Sequence, residues 1–411
     1  MTTTILHFPD FLREQKNTHM THIEDKVLYG GVNGTRQAIN ALRELRDMLA
    51  GETSSKLSVK WDGAPAIFAG QDPSDGNFFV AKKGIFAKNP KIYKSAAEID
   101  AEMSGDLADK MKAALRYLPD LGIKGIIQGD FLFSKEDVKN EVIDGEKYTT
   151  FHPNTIIYAI PYDQADAVRK AQIGIVWHTT YKGNDFESLK ASYGVDVSKF
   201  KQSKNVWSQD AMLRDVGGAT MDKKETAEVT KHLSTAGKLF NSIAGSTLRE
   251  LEKNQGLAQL IEQYNNTFVR EGQVIPDSRI HVTGLIKWVN DKFVKEMEKR
   301  KSEKGRMVQQ QKLDEIMKFF SPKNKKSLVN MFDLQKSIVL AKLKLINKLN
   351  SISNYDAFVQ TTKGYKVRTG AEGFVAIDKL GGDAVKLVDR LEFSYNNFSP
   401  DILKGWDKPK R

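Results

Sequence analysis

The sequence predicts an α+β chain whose sheets are mainly antiparallel and whose β-rich part is interrupted by a large helical segment. Three observations predict it. Runs of apolar and β-branched residues, broken by Asp-Gly turns, fill roughly residues 55–185. From about 188 to 355 they give way to apolar residues at every third or fourth position with lysines between them. Strand character returns between about 365 and 392. The expected division is therefore 1–187, an N-terminal helical stretch and the first part of a β-rich domain; 188–355, a basic helical insertion; and 356–411, the return to the β-rich domain.

In chain order, residues 1–50 read as helical, with Ile39, Leu42, Leu45, Met48 and Leu49 at helical spacing. The preceding Gly30-Gly31-Val32-Asn33-Gly34 is a break between helices; no Gly-Lys-Ser/Thr follows, so it is not a P-loop. Lys56–Gly70 reads as two strands with Asp62-Gly63 as a tight turn, and Asp75-Gly76 supplies a second hairpin before Asn77–Phe86. Lys82, Lys83, Lys88, Lys91 and Lys94 make that hairpin basic, either a phosphate-binding rim or a charged edge that resists aggregation. An acidic helix and an amphipathic one follow over 95–120. Then Ile123–Phe133 reads as a short strand ending in the carboxylate of Asp130. Further strands are expected at Thr155–Asp163 and Ile173–Tyr181, with His178 a hydrogen-bonded strand residue. The helical segment shows three apolar stripes, through Leu248–Ile261, Leu285–Met297 and Leu328–Leu349. Strands are expected again at Tyr365–Arg368, Gly370–Asp378 and Ala384–Arg390, the last two joined by Gly381-Gly382-Asp383.

Composition excludes several classes. With no cysteine there are no disulfides, thiolate nucleophiles or cysteine metal sites. The seven histidines show no HExxH spacing. No apolar run approaches the roughly 18–20 residues that span a bilayer, and no secretory pattern opens the chain. A cytoplasmic protein without a membrane partner is expected. The net charge is +11, and residues 291–350 hold 16 Lys+Arg against 7 Asp+Glu, so most of the excess sits in one segment. Nucleic acid is the usual polyanionic partner of such a segment; a solvated helical face is the alternative.

The motifs fall in a recognisable order. Lys60-Trp61-Asp62-Gly63 resembles motif I, KxDG, of the covalent nucleotidyltransferases: ATP-dependent DNA ligases, RNA ligases and mRNA capping enzymes. Ile127-Gln128-Gly129-Asp130 resembles motif III, Ile157–Asp163 motif IIIa, Glu372-Gly373-Phe374-Val375 motif IV and Val385-Lys386-Leu387-Val388 motif V. The chain departs from the family at Pro65, where a polar or basic residue is usual, at Asp130 in place of Glu, and at Val388 in place of a second lysine. Motifs IIIa and IV are unusually far apart, and no oligonucleotide-binding fold is expected after motif V. The chain is most similar to RNA-ligase-like enzymes of large tailed phages.

The resemblance implies a nucleotidyltransferase (adenylation) domain and an ATP-dependent polynucleotide ligase. It implies Lys60 as nucleophile and Lys386 as a second catalytic lysine. It also implies ATP contacts from Asp62, Gly63, Asp130, Glu372, Lys82 and Lys83, with Tyr158 or Phe131 stacking on adenine. Glu372 and Asp130 would hold Mg²⁺ or Mn²⁺, hard cations suited to oxygen ligands. An ordinary lysine is protonated at neutral pH, so attack needs neighbouring positive charge that favours the neutral amine. The implied partners are single-stranded or nicked RNA or DNA with 5′-phosphate and 3′-hydroxyl ends, an RNA 3′-hydroxyl strand being favoured. The alternatives are a catalytically degenerate nucleic-acid-binding phage protein and an enzyme that adenylylates proteins or small molecules.

Overall fold

The computed structural model describes residues 21–52, 56–211, 221–351, 356–361, 364–368, 373–377 and 384–405. In chain order, helices α1 (Lys26–Tyr29) and α2 (Gly31–Leu49) precede strands β1 (Lys56–Lys60), β2 (Ala66–Gln71), β3 (Phe78–Ala81) and β4 (Ile92–Tyr93). Helices α3 (Ala96–Glu102) and α4 (Gly105–Tyr117) lead to β5 (Ile126–Ser134), β6 (Lys139–Ile143), β7 (Glu146–Phe151) and β8 (Ile157–Pro161). After α5 (Asp166–Lys170) come β9 (Ile173–Lys182), β10 (Lys190–Tyr193) and β11 (Val206–Asp210). The helical stretch holds α6 (Lys223–Ser242), α7 (Gly245–Lys253), α8 (Gln255–Arg270), α9 (Ser278–Glu298), α10 (Glu303–Phe319) and α11 (Pro322–Asn350). It is followed by β12 (Asp356–Thr361), β13 (Gly364–Arg368), β14 (Gly373–Ile377), β15 (Ala384–Leu387), α12 (Arg390–Phe398) and β16 (Ile402–Leu403). The chain is thus α+β, and its strand pairs are antiparallel except that β11 runs parallel to β9.

The described residues fall into two compact units. One comprises 63–134 and 170–210. Its seven-stranded sheet runs β10-β9-β5-β2-β3-β4, with β11 also on β9. Alternation along β2 explains its two faces: Ile67 and Ala69 join Phe131, Trp177, Met111 and Ala114 in the core beneath α3 and α4, whereas Phe68 joins Phe79, Ile85 and Tyr181 on the other side.

The other unit comprises 21–62, 135–169 and the chain from 211 onward. Its main core is helical and gathers Ile39, Leu42 and Leu45 of α2, Val229 and Leu233 of α6, Leu285 of α9 and Leu334, Ile338 and Leu345 of α11. The three-stranded sheet β1-β14-β15 lies against that core through Leu57, Phe374 and Leu387. A second sheet runs β13-β12-β8-β7-β6, with β16 on β12.

Several expectations change. β1 pairs with β14 and β2 pairs with β3 and β5, so Asp62-Gly63 is a crossing between sheets and not a hairpin turn. Asp75-Gly76 is a hairpin turn as expected, joining β2 to β3, but β3 ends at Ala81 and a short 3₁₀ turn takes Lys83–Phe86. β5 continues past Asp130 to Ser134, so the carboxylate sits within a strand. The boundary at 188 also moves: β10 and β11 pair with β9, and the helices begin at Lys223. The apolar stripe at Leu248–Ile261 is two helices, because the Asn254 side chain caps α8 by accepting from Leu257 N–H.

Among the buried titratable groups of the helical unit, His281 contributes a pH dependence of clear sign. His281 is fully buried among Tyr264, Phe268 and Phe332, and its Nε2 lies 2.8 Å from Asn265 Oδ1. Burial, with a smaller contribution from Lys336, pushes its pKa down to about 4. The unfolded chain binds a proton near pH 6.5 and the folded chain does not. Stability is therefore expected to fall between about pH 6.5 and 4 by up to about 1.4 kcal/mol per pH unit from this residue. His281→Phe should flatten that part of the profile, read as urea midpoints at pH 7 and pH 5; an unchanged slope would rule out His281 as its source.

Candidate active site around Lys60

Register places the two candidate lysines on one face of a sheet, on its two outer strands with β14 between them. Ser58 pairs with Val375 and Val375 with Lys386, so these side chains share one face of the β1-β14-β15 sheet. Lys60, two residues beyond Ser58, lies on the same face. The opposite face is the one that Leu57, Phe374 and Leu387 bury in the helical core. Phe393 of α12 covers the lysine-bearing face: Lys60 Nζ lies 6.0 Å and Lys386 Nζ 4.4 Å from its ring centroid. Opposite Lys60 stands Gly373, where an added Cβ would fall 2.5 Å from Leu387 O. Gly373 is thus required by the packing of β15. On its other edge β15 is held by the chain near His22, with Lys386 N–H donating to Thr21 O at 3.2 Å.

The residues after Lys60 are latched. Asp62 is 4% exposed. Its Oδ1 accepts from Asn154 Nδ2 at 2.6 Å, and its Oδ2 accepts from Thr155 N–H, Thr155 Oγ1 and Ile156 N–H at 2.6–2.9 Å. Its own N–H donates to the Tyr158 hydroxyl at 2.6 Å. Both carboxylate oxygens are spent on the loop before β8, which corrects the expected nucleotide-contact role of Asp62. The residue fixes the backbone immediately after the candidate nucleophile. Each stranded buried donor costs about 1–3 kcal/mol, so Asp62→Ala is expected to lose about 3 kcal/mol or more. Urea unfolding reads this; a loss below about 1 kcal/mol would leave the latch without weight.

The expected adenine partners are also corrected. Tyr158 is fully buried, stacked on Phe151 at 5.5 Å and set against Trp61 at 4.7 Å. Phe131 is fully buried in the core beneath α4. Neither offers an open face to a base.

The other unit brings together Gly63, Asp130 and Phe131. Ala64 N–H donates to Phe131 O and Phe131 N–H to Pro65 O. A Cβ on Gly63 would fall 2.5 Å from the Asp130 Cβ, so that close approach also demands glycine. Asp130 is part-exposed, with His178 Nε2 3.8 Å from its Oδ1. His178 is the extra residue of a β-bulge, skipped between the pairs Gln128–Thr179 and Gly129–Trp177, and its Nδ1 lies 2.7 Å from Thr179 Oγ1. Asp130, one of the two metal candidates, thus stands part-exposed within β5 beside His178. Glu372, the other metal candidate, lies outside the described residues, and among those described no group of three or more metal-ligating side chains occurs. Lys82 is half-buried and Lys83 exposed, flanking the 3₁₀ turn after β3.

The basic segment 291–350 is less free than its charge suggests. Lys342 is buried against Glu24, while Lys344 and Lys348 pair with Glu228 and Glu225 of α6. Its last three lysines pair with acids of other helices. Phe393 was not legible as a site residue; the one signal for its helix is Asp389, whose carboxylate caps α12 by accepting from Leu391 and Glu392 N–H. No helix among the described residues is long and apolar enough to cross a membrane.

No curated protein and no solved structure matches the chain. The sequence profile of a family of unknown function, DUF6267, matches residues 17–401, so the chain belongs to that family.

Proposed function

We propose that the chain is an ATP-dependent polynucleotide ligase that works through a lysyl-AMP on Lys60. One observation carries the reading. The strands bearing motifs I, IV and V, drawn from distant parts of the sequence, pair in one three-stranded sheet with Lys60 and Lys386 on the same face. This face carries a candidate nucleophile beside a second cation, and the sheet behind it is anchored in a packed core.

In the proposed reaction the neutral Lys60 amine attacks the α-phosphorus of ATP. A P–N bond forms, the bond between the α-phosphorus and its bridging oxygen breaks, and pyrophosphate leaves. The AMP then passes to a 5′-phosphate oxygen as the P–N bond breaks. A 3′-hydroxyl attacks that 5′-phosphorus, loses its proton and expels AMP. Lys386 supplies positive charge where the equatorial oxygens of the pentavalent phosphorus gain negative charge. Mg²⁺, when bound, would neutralise triphosphate charge in the same sense. An RNA 3′-hydroxyl strand and an RNA or DNA 5′-phosphate strand follow from the resemblance to RNA-ligase-like enzymes.

The test is self-labelling. Purified protein with Mg²⁺ and α-labelled ATP is expected to carry label after denaturation, and 5′-phosphorylated strands should discharge it into adenylylated ends and then sealed product. A chain that takes no label would overturn the ligase reading. Label that discharges onto proteins or small molecules, and not onto strand ends, would replace it with the alternative adenylyltransferase.

A further inference from the structure

A groove in the helical unit has the composition of an anion site. It runs between α2 and α6 and encloses about 540 Å³. Its floor is built by the packing of the two helices, whose inward faces carry Ile39 and Leu42 on α2 and Val229, Leu233 and Ala236 on α6. Arg46 Nη1 donating to Thr230 Oγ1 at 3.1 Å ties the helices at one end. The walls are cationic and amide-bearing: Arg36, Asn40 and Arg43 from α2, and Lys238 and Asn241 from α6. No acidic residue lines it.

Among the described residues no acidic group takes up the cations of this groove. Among the described residues Arg36 and Lys238 make no ion pair, and Arg43 reaches only the neutral Asn40 Oδ1, at 3.5 Å. Asp47, one turn beyond Arg43, is held by Arg46. This differs from the lysines at the end of α11, which are neutralised by Glu24, Glu225 and Glu228. Three exposed cations on a shared groove repel one another, and a bound anion would relieve that repulsion.

The shape selects among anions. Arg36 and Arg43 stand seven residues apart, two helical turns or about 10.5 Å along the axis. That spacing suits two or more phosphates in line. Gly237 carries no side chain into the groove, where the nearest atom to an added Cβ is Arg43 Nη2 at 3.7 Å, so the floor stays open. Phe240, half-buried on the core, adds a ring surface to the same groove. A row of cations beside an aromatic face is the pattern that grips a single strand irrespective of its sequence.

We propose that the α2–α6 groove binds the sugar–phosphate backbone of a single-stranded nucleic acid through Arg36, Arg43 and Lys238. The proposal does not require Lys60 chemistry.

The test is fluorescence anisotropy of a labelled oligothymidylate 20-mer on the full chain across a salt series. The variant Arg36→Gln/Arg43→Gln/Lys238→Gln is expected to bind at least about 10-fold more weakly, with a salt slope shallower by about 2, since each lost phosphate contact removes about 0.7. A charge-matched control, Lys124→Gln/Lys182→Gln/Lys190→Gln, alters exposed lysines of the other unit and should change affinity less than about 3-fold. Unchanged melting curves show that both variants fold. An unaltered 20-mer affinity in the groove variant, or an equal loss in the control, would overturn the assignment. Equal affinity for the 20-mer and for thymidine monophosphate would overturn it too, in favour of a mononucleotide site. The groove variant should still take label from ATP, and Lys60→Ala should still bind the 20-mer. A failure of self-labelling would thus sink the ligase reading while leaving the groove result standing.

Discussion

Lys60→Ala is expected to reduce covalent labelling by ATP to background while leaving the melting curve unchanged. The side chain is part-exposed at the end of β1, so truncation opens no core cavity. Lys60→Arg should fail equally, because a guanidinium stays protonated and cannot attack phosphorus. Lys386→Ala separates roles. It keeps the nucleophile but removes the neighbouring cation on the same sheet face, and labelling should slow by about 10²–10³-fold, the usual cost of losing one transition-state donor. If Lys60→Ala still labelled, the nucleophile would lie elsewhere and the shared face would have no catalytic meaning. If Lys386→Ala labelled at the full rate, its place beside Lys60 would be structural.

The second large effect lies in the helical core. Lys342 Nζ sits 2.9 Å from both carboxylate oxygens of Glu24, and both residues are almost wholly buried. Beside them Arg390 Nη1 donates to both oxygens of Asp25 at 3.0 Å. Burial alone would raise the Glu24 carboxyl, but the Lys342 ammonium, with help from His22 and Arg390, holds it below the usual carboxylate range. Lys342→Met leaves that buried carboxylate with only Arg390, 3.9 Å away and already paired with Asp25, at an expected cost of about 3–5 kcal/mol. The double variant Glu24→Gln/Lys342→Met should recover most of the loss, since a neutral pair carries no comparable desolvation penalty. A depressed carboxyl contributes stability that is complete above its unfolded pKa and drains as pH falls below about 4.5. The double variant should therefore also lose part of its acid sensitivity. A single variant as stable as the parent would show that the pair contributes nothing.

How much of this was legible depended on how local each signal is. α11 follows from periodicity because one face is buried along its length, and β9 from its apolar run because both faces of its first half are buried. The hairpin β6–β7 was readable and missed: Asp144-Gly145 joins it, both with positive φ, the signature of a tight two-residue turn, but its strands are rich in charge and lack the apolar runs that mark the others. Lys60-Trp61-Asp62-Gly63 was legible as a string of residues, whereas its surroundings were not. The partners of Asp62 lie at Asn154–Ile156, and nothing in that tripeptide announces a carboxylate latch. Tyr158 and Phe131 are aromatic residues on strands, and sequence alone does not distinguish a ring that faces a ligand from one that fills a core. Charge is only partly legible for a related reason. Counting lysines in 291–350 cannot see Glu24, Glu225 and Glu228, which lie far away in sequence and neutralise three of them.

The pairing of β1 with β14 bears on how the protein is made. The strand that carries Lys60 leaves the ribosome early, and its partners on β14 and β15 follow only after the helices have been translated. At about 5–20 residues per second, that interval is on the order of tens of seconds. Throughout it, β1 has an unpaired edge and Lys60 has no neighbouring cation. A nascent or prematurely terminated chain, ending anywhere before Lys386, would hold the nucleophile without the sheet that orients it. On the proposed reading such a fragment lacks both partner strands and would take up AMP poorly, so labelling would report that translation has passed β15.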